Sequence, residues 1–175
     1  LEFRRVLFRS RCPRDPVAMR ASFRHWVTGA PRHLPFDLNM VDWLEEKGHA
    51  YDVITDEDIH HQGLNRLSPY KVIITASHPE YWSSQMLDAL QDYLARGGRL
   101  IYVGGNGFYW ATAFDPERPY IIECRRGIAG SRAWESHPGE QEMAATGEHC
   151  GIWRHLGRAP NKLVGVGFAG QGWDL

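Results

Sequence analysis

The chain has 175 residues, 43% of them hydrophobic, with 20 Lys and Arg against 21 Asp and Glu and a net charge of -1. That length can bury one ordinary core, and a pI of 6.8 with scattered basic residues leaves no nucleic-acid footprint. No apolar run approaches the roughly 20 residues of a membrane helix, no secretory leader pattern is present, and Cys12, Cys124 and Cys150 lack metal-type spacing, which points to reduced thiols and a cytoplasmic setting.

Leu1–Ser10, LEFRRVLFRS, is basic and apolar without a clear helical or strand period. Its last four residues are what the sequencing-adapter end CTCTTCCGATCT encodes. The segment therefore reads as an adapter-derived artefact of a metagenomic assembly and is set aside from the fold. A natural basic arm is the alternative. Residues 11–35 are irregular and rich in Arg, Pro and His, with one extended candidate at Met19–His25. Residues 36–175 are expected to carry the folded domain.

Asp37 can cap a helix over Leu38–Lys47, with Leu38, Val41, Trp43 and Leu44 as apolar contacts and Gly48 at its stop. Tyr51–Ile54 reads as a strand. Asp56–Leu67 is polar and turn-rich, with room for one short helix. Val72–Ile74 is a β-branched run of the kind buried on both faces of a parallel sheet. Pro79 ends that ladder, and Ser77–Trp82 forms a polar loop in which Tyr81 and Trp82 supply a wall.

Ser83 or Ser84 caps the next helix. Met86, Leu87, Leu90 and Leu94 give it an apolar stripe, and Gly97-Gly98 closes it. Leu100–Val103 is a second buried strand, followed by the Gly104-Gly105-Asn106-Gly107 turn. This alternation predicts an α/β fold with a mainly parallel sheet and flanking helices. After Trp110, Tyr120–Cys124 reads as a strand. A long Gly- and Trp-rich insertion begins at Gly127, and Leu163–Phe168 is a last strand candidate. The chain stops at Leu175 directly after an apolar segment, and with the adapter-like start this reads as a fragment of a larger protein.

Two parallel strands joined by a crossover helix place the His78-Pro79-Glu80 loop beside the Gly-Gly-Asn-Gly turn, at the carboxyl edge where open α/β sheets bind ligands. His78, Glu80 and Asn106 are therefore expected to face one pocket. An imidazole two residues from a carboxylate suits either an acid/base pair or a metal ligand with its supporting base. Solvated loop residues are the plainer reading. A strand running into that turn and then a helix has the form of a nucleophile elbow. Asn106 cannot attack, but its amide can donate to an oxyanion. Equally, Asn106 can simply accept a left-handed turn. His60-His61, Arg125-Arg126 with Arg132, and Glu135, His137, Glu140 and Glu142 carry weaker signals, best read as solvated surface. Gly104–Gly107 lacks the spacing of a phosphate fingerprint.

The blocks HPEYWS, GGRLIYVGGNGFYW, the RAW…PGE…TGE…G-WR run and GRAPNKLVGVGFAGQGWD occur together and in order from about Ser22 onward. Together they resemble the C-terminal, glutamine-amidotransferase-like domain of the N,N-dimethylformamidase large-subunit family. The resemblance implies a class I amidotransferase-like, flavodoxin-like three-layer arrangement. It also implies an iron-dependent hydrolase that cleaves N-substituted formamides to formate and an amine. In that family two tyrosines and a glutamate hold a single iron near a His and an Asn. The matching positions are Glu80 as metal ligand, with His78 and Asn106 as catalytic residues. The implied partners are a small amide substrate, a small subunit and further copies of the parent, with neither nucleic acid nor membrane.

This chain departs from the family pattern in one respect. The two tyrosine ligands lie upstream of the HPE motif, in a region it lacks, and Tyr51 and Tyr70 do not sit in matching motifs. A further acidic pocket residue falls beyond Leu175. One carboxylate cannot retain iron, so the polypeptide alone is expected to carry part of an active site and to be inactive. The competing expectation is a catalytically silent amidotransferase-like domain, similar to the trehalose-utilisation proteins, used for binding or subunit contact.

Overall fold

The computed structural model describes residues 5–9, 34–75, 77–127 and 141–167. Cys12, Met19–His25, Arg132, Glu135, His137, Glu140 and Phe168 lie outside the described residues. The chain divides into two compact units, the first made of Leu1–His78 and Asp88–Gly104, the second of Pro79–Leu87 and Gly105–Leu175.

The first unit is built on a parallel sheet. Its strands are β1 (Arg5–Arg9), β2 (Tyr51–Thr55), β3 (Val72–Ile74) and β5 (Arg99–Ile101), in the order β2-β1-β3-β5. β3 and β5 pair in register, Val72 opposite Arg99 and Ile74 opposite Ile101. All of β3 is buried, as its β-branched run predicts. Strand periodicity sends Val72 and Ile74 to one face and Ile73 to the other. On the Val72/Ile74 face, Leu44, Met40 and Val41 of helix α1 (Leu34–Glu46) complete a cluster with Tyr51. Burying a side chain such as Leu44 stabilises the fold by roughly 2 kcal/mol.

Several elements differ from the sequence reading. Arg5–Arg9, set aside above as carrying no element, forms a strand paired with both β2 and β3. Helix α1 starts at Leu34, so Asp37 sits inside its first turn rather than capping it. Leu38 and Trp43 point outward, 52% and 41% exposed, because the stripe facing β3 is Met40, Val41 and Leu44.

The turn-rich segment after β2 holds two helices, α2 (Asp56–Gln62) and α3 (Leu64–Leu67). A capping box starts α2: Asp58 N donates to Thr55 Oγ1 at 3.2 Å, and Thr55 N donates to Asp58 Oδ2 at 3.0 Å. The acidic run Asp56-Glu57-Asp58 looked like loop composition, but it suits the positive end of a helix dipole.

β5 is not buried on both faces. Among the described strands its one neighbour is β3, and Ile101 and Val103 are 40% and 47% exposed. Helix α4 (Ser84–Ala95) begins and ends as expected: Met86 N donates to Ser83 Oγ, and the Gly97 and Gly98 amides close onto Leu94 O and Tyr93 O. Its buried stripe is Met86, Leu87, Leu90 and Tyr93, with Leu94 half-buried.

The second unit uses short strands and aromatic side chains. β4 (Tyr81–Trp82) runs parallel to β6 (Trp110–Ala111), while β7 (Ala113–Phe114) pairs antiparallel with β8 (Ile122–Glu123). Trp82, Phe108 and Trp110 are 1%, 1% and 2% exposed, with the Trp82 and Phe108 rings 4.7 Å apart. Asp115 holds the turn after β7, accepting from the Glu117 and Arg118 amides at 2.9 Å each and from the Arg118 guanidinium at 2.7 Å. Those backbone bonds, then the guanidinium, hold its carboxyl below the usual range.

Leu163 and Val164, read as strand, lie in helix α5 (Pro160–Val164), which Pro160 opens and Gly165 closes at φ 77. The insertion expected after Gly127 is, over residues 141–159, mostly turns and isolated bridges such as Glu142 with His149 and Trp110 with Ile152.

Candidate functional site

The loop after β3 is tied down residue by residue. Thr75 is fully buried; its amide donates to Ile101 O at 3.0 Å and its Oγ1 accepts from Val103 N at 3.1 Å, which carries the β3–β5 pairing past the strand ends. The Ser77 amide donates to Asp37 Oδ1 at 2.9 Å, so a carboxylate from α1 fixes the backbone next to His78. His78 is half-buried and is the last residue of its segment of the first unit.

Glu80 and Asn106 belong to the second unit, and their segments are stitched together through the backbone. Phe108 N donates to Pro79 O at 2.7 Å, while Tyr109 N and Trp110 N both donate to Glu80 O, at 3.0 and 2.9 Å. Trp82 Nε1 adds a bond to Pro79 O at 2.7 Å. The Glu80 loop and the Asn106 turn thus lie against one another. Both Glu80 and Asn106 are half-buried.

The turn itself is left-handed at two non-glycine positions, Asn106 at φ 50 and Phe108 at φ 55. Asn accepts that conformation readily, whereas Phe does so only when packing compels it. Here the compelling contact is the buried Phe108 ring against Trp82. No helix follows: the chain passes from Phe108 into β6, so the comparison with a nucleophile elbow fails in its second half. The aromatic plug after the glycines draws the backbone into a strand instead.

Electrostatics around Glu80 involve residues that motif reasoning did not single out for this role. Burial, then the Glu80 charge, raises the Tyr81 hydroxyl. Burial raises the Cys124 thiol to about 11, with Glu80 adding to the rise and Arg126 opposing it. The Arg126 guanidinium lies 4.5 Å from the centre of the Trp110 ring, a cation–π placement on a buried indole. Arg125 instead pairs with Glu123, whose carboxylate also accepts from Ala144 N and Ala145 N at 2.9 and 2.8 Å. Burial pushes Glu123 up, but these donors outweigh it and leave it lowered. The Arg125-Arg126 pair is thus divided between two structural duties. Charge counting could not have revealed this division, since Arg125 pairs with Glu123 two positions away while Arg126 reaches a ring sixteen positions earlier.

Asp56, at the carboxyl end of β2, was also missed; burial and then the neighbouring Glu57 charge raise it from 3.8 to about 7. His60 and His61 meet edge to face at 4.8 Å on α2. Among the described residues no group of three or more His, Cys, Asp or Glu could hold a metal ion. The donor set among the described residues does not by itself fit a mononuclear iron.

The TGE and G-x-W-R blocks act as fasteners. Glu148 Oε1 accepts from Ser84 Oγ at 2.6 Å and Oε2 from Thr146 Oγ1 at 2.9 Å. Trp153 donates from its backbone to Tyr109 O at 2.9 Å and from Nε1 to Trp82 O at 3.1 Å.

The first unit's parallel sheet with its helices, and the second unit's carboxylate loop laced to a glycine-rich turn, define an α/β protein. The family described as N,N-dimethylformamidase beta subunit-like, C-terminal, matches residues 4–174, and the chain belongs to that family. The N,N-dimethylformamidase beta subunits of Paracoccus aminophilus and of an Alcaligenes species are each 42% identical over 146 residues, covering 83% of this chain. The chain spans 19% of the length of these relatives. Among the described residues no helix is long and apolar enough to cross a membrane, and neither Cys124 nor Cys150 is in a disulfide.

Proposed function

We propose that this chain is the amidotransferase-like, three-layer portion of an amide hydrolase acting on N-substituted formamides, releasing formate and an amine. The observation that carries the reading is the double acceptance by Glu80 O from Tyr109 N and Trp110 N, which holds the carboxylate's loop against the Asn106 turn. Glu80 is the metal ligand assigned to this chain; the other donors belong to the remainder of a longer protein. Asn106 offers an amide donor to a developing oxyanion. His78, two residues before Glu80, moves a proton to or from the attacking water. Backbone bonds to Pro79 O and Glu80 O restrict the Glu80 loop and the Asn106 turn before substrate arrives, and Asp37 on Ser77 separately fixes the backbone beside His78. Association with a small subunit, and a cytoplasmic setting for the reduced thiols, complete the proposal.

The test uses a full-length homologue carrying Glu80→Gln. Bound iron and formamide turnover both fall to background if Glu80 is a ligand, while the fold is retained because the amide keeps the side chain's shape. Iron content and turnover at the unsubstituted level would remove Glu80 from the site. A second reading, a binding-only domain, draws support from Asn106 standing at the left-handed tip where hydrolases place a nucleophile. It predicts that Asn106→Ala leaves turnover of the homologue unchanged.

A further inference from the structure

A cleft of about 540 Å³ opens in the first unit at the opposite end of the same strands, lined by Leu64, Ser68, Tyr70, Lys71, Tyr93, Arg96, Gly97, Gly98 and Arg99. Its charges come from three separate elements. Lys71 immediately precedes β3, Arg96 follows α4, and Arg99 opens β5. None of the lining residues is acidic. The whole chain is nearly balanced, 20 basic against 21 acidic residues, so this is a local departure rather than a general bias. Concave, weakly polarisable walls focus the field of such a group of like charges.

The floor of the cleft is set by bonds that need no ligand. Tyr93 Oη donates to Tyr70 O at 3.1 Å and accepts from Arg99 N at 3.2 Å, fixing the ring between the entrances to β3 and β5. A Cβ on Gly98 would lie 2.3 Å from that ring, so a glycine is required for the ring to lie there. The three cationic side chains are exposed at the cleft. Two guanidinium forks and an ammonium supply donors suited to a tetrahedral oxyanion.

We propose that this cleft binds a small soluble anion of the phosphate class through Lys71, Arg96 and Arg99. Its concavity fits a compact ligand better than a flat membrane surface. The site is independent of the proposed amidase chemistry and stands if that reading fails.

Titration of the full chain with inorganic phosphate at low ionic strength tests it, read by calorimetry. Saturable binding is expected, weakened by about tenfold in Arg96→Gln alone, the size of one charge-assisted hydrogen bond. It should vanish in the combined Lys71→Gln, Arg96→Gln, Arg99→Gln variant and persist in Lys162→Gln, which removes a cation elsewhere. Absence of saturable binding overturns the proposal. So does equal weakening by Lys162→Gln, which would mark diffuse attraction. Sedimentation with phosphatidylserine vesicles, without any response to inorganic phosphate, would assign the patch to membranes and overturn it as well.

Discussion

The two units reach stability by different routes. The first buries aliphatic side chains at regular spacing: β3 is apolar throughout, and α1 lays Met40, Val41 and Leu44 against it. The second has strands of two residues each, and its order comes from large rings and from backbone bonds between segments distant in the chain. Regular elements distribute their energy over many similar contacts, so single changes are absorbed. An irregular unit concentrates it in a few side chains that no neighbour can replace.

The strongest way to break this contrast is Trp82→Ala. Trp82 is 1% exposed, packs on Phe108, and its carbonyl and indole bond Trp153 and Pro79. Loss of such a ring costs about 3–5 kcal/mol. Urea denaturation should show it well above Ile73→Val in the first unit, for which about 1 kcal/mol is expected. Comparable losses at the two positions would dissolve the distinction.

Gly98→Ala comes next, because the added methyl meets the Tyr93 ring at 2.3 Å. Overpacking of this kind costs about 1–3 kcal/mol. Pairing it with Tyr93→Leu should recover part of that loss, since the smaller side chain vacates the space; strict additivity in the double variant would locate the strain elsewhere.

Asp56 sharpens the comparison through pH. Its carboxyl titrates near 7 in the fold against an ordinary 3.8, so between those values the folded chain holds a proton that the unfolded chain has lost. Stability from this group therefore declines as pH rises from about 4 to about 7, and Asp56→Asn should flatten that decline and stabilise the chain at pH 8. Part of Asp56 still reaches solvent, so the gain is about 1–2 kcal/mol, below the full desolvation cost. Thermal melts across pH 4–8 measure it, and parallel curves for the two proteins would rule it out.

The smallest effect expected is Thr55→Ala, which removes one arm of the α2 capping box, worth about 1 kcal/mol. Thr55→Ser should restore it. A melting temperature lowered equally by both substitutions would show that the methyl group, rather than the hydroxyl, matters there.

Much of the parallel sheet and its crossover helix was legible in the sequence. Val72–Ile74, the Ser83 cap, the Gly97-Gly98 stop and the crossover between parallel strands follow from local preferences acting over a few residues. The capping box Thr55-x-x-Asp58 was equally local and was passed over because an acidic, polar run also looks like a loop. For the site, the sheet-edge argument expected His78, Glu80 and Asn106 to face one pocket, and the structure laces the Glu80 loop to the Asn106 turn by backbone bonds. It did not foresee that the turn leads into a strand, because Phe108 is held by Trp82 and Trp110 pairs with Tyr81, each more than twenty-five positions earlier.

What the sequence alone determined is therefore the family, the α/β alternation and the helix stops, each encoded by residues near one another or by ordered blocks of identity. Tertiary structure decided that β5 has one open side among the described strands and that Leu163 and Val164 are helical. It also gave Arg125 and Arg126 different partners, and raised Asp56 to about 7. Burial and charge depend on which distant atoms come close, and short-range pattern carries no record of that.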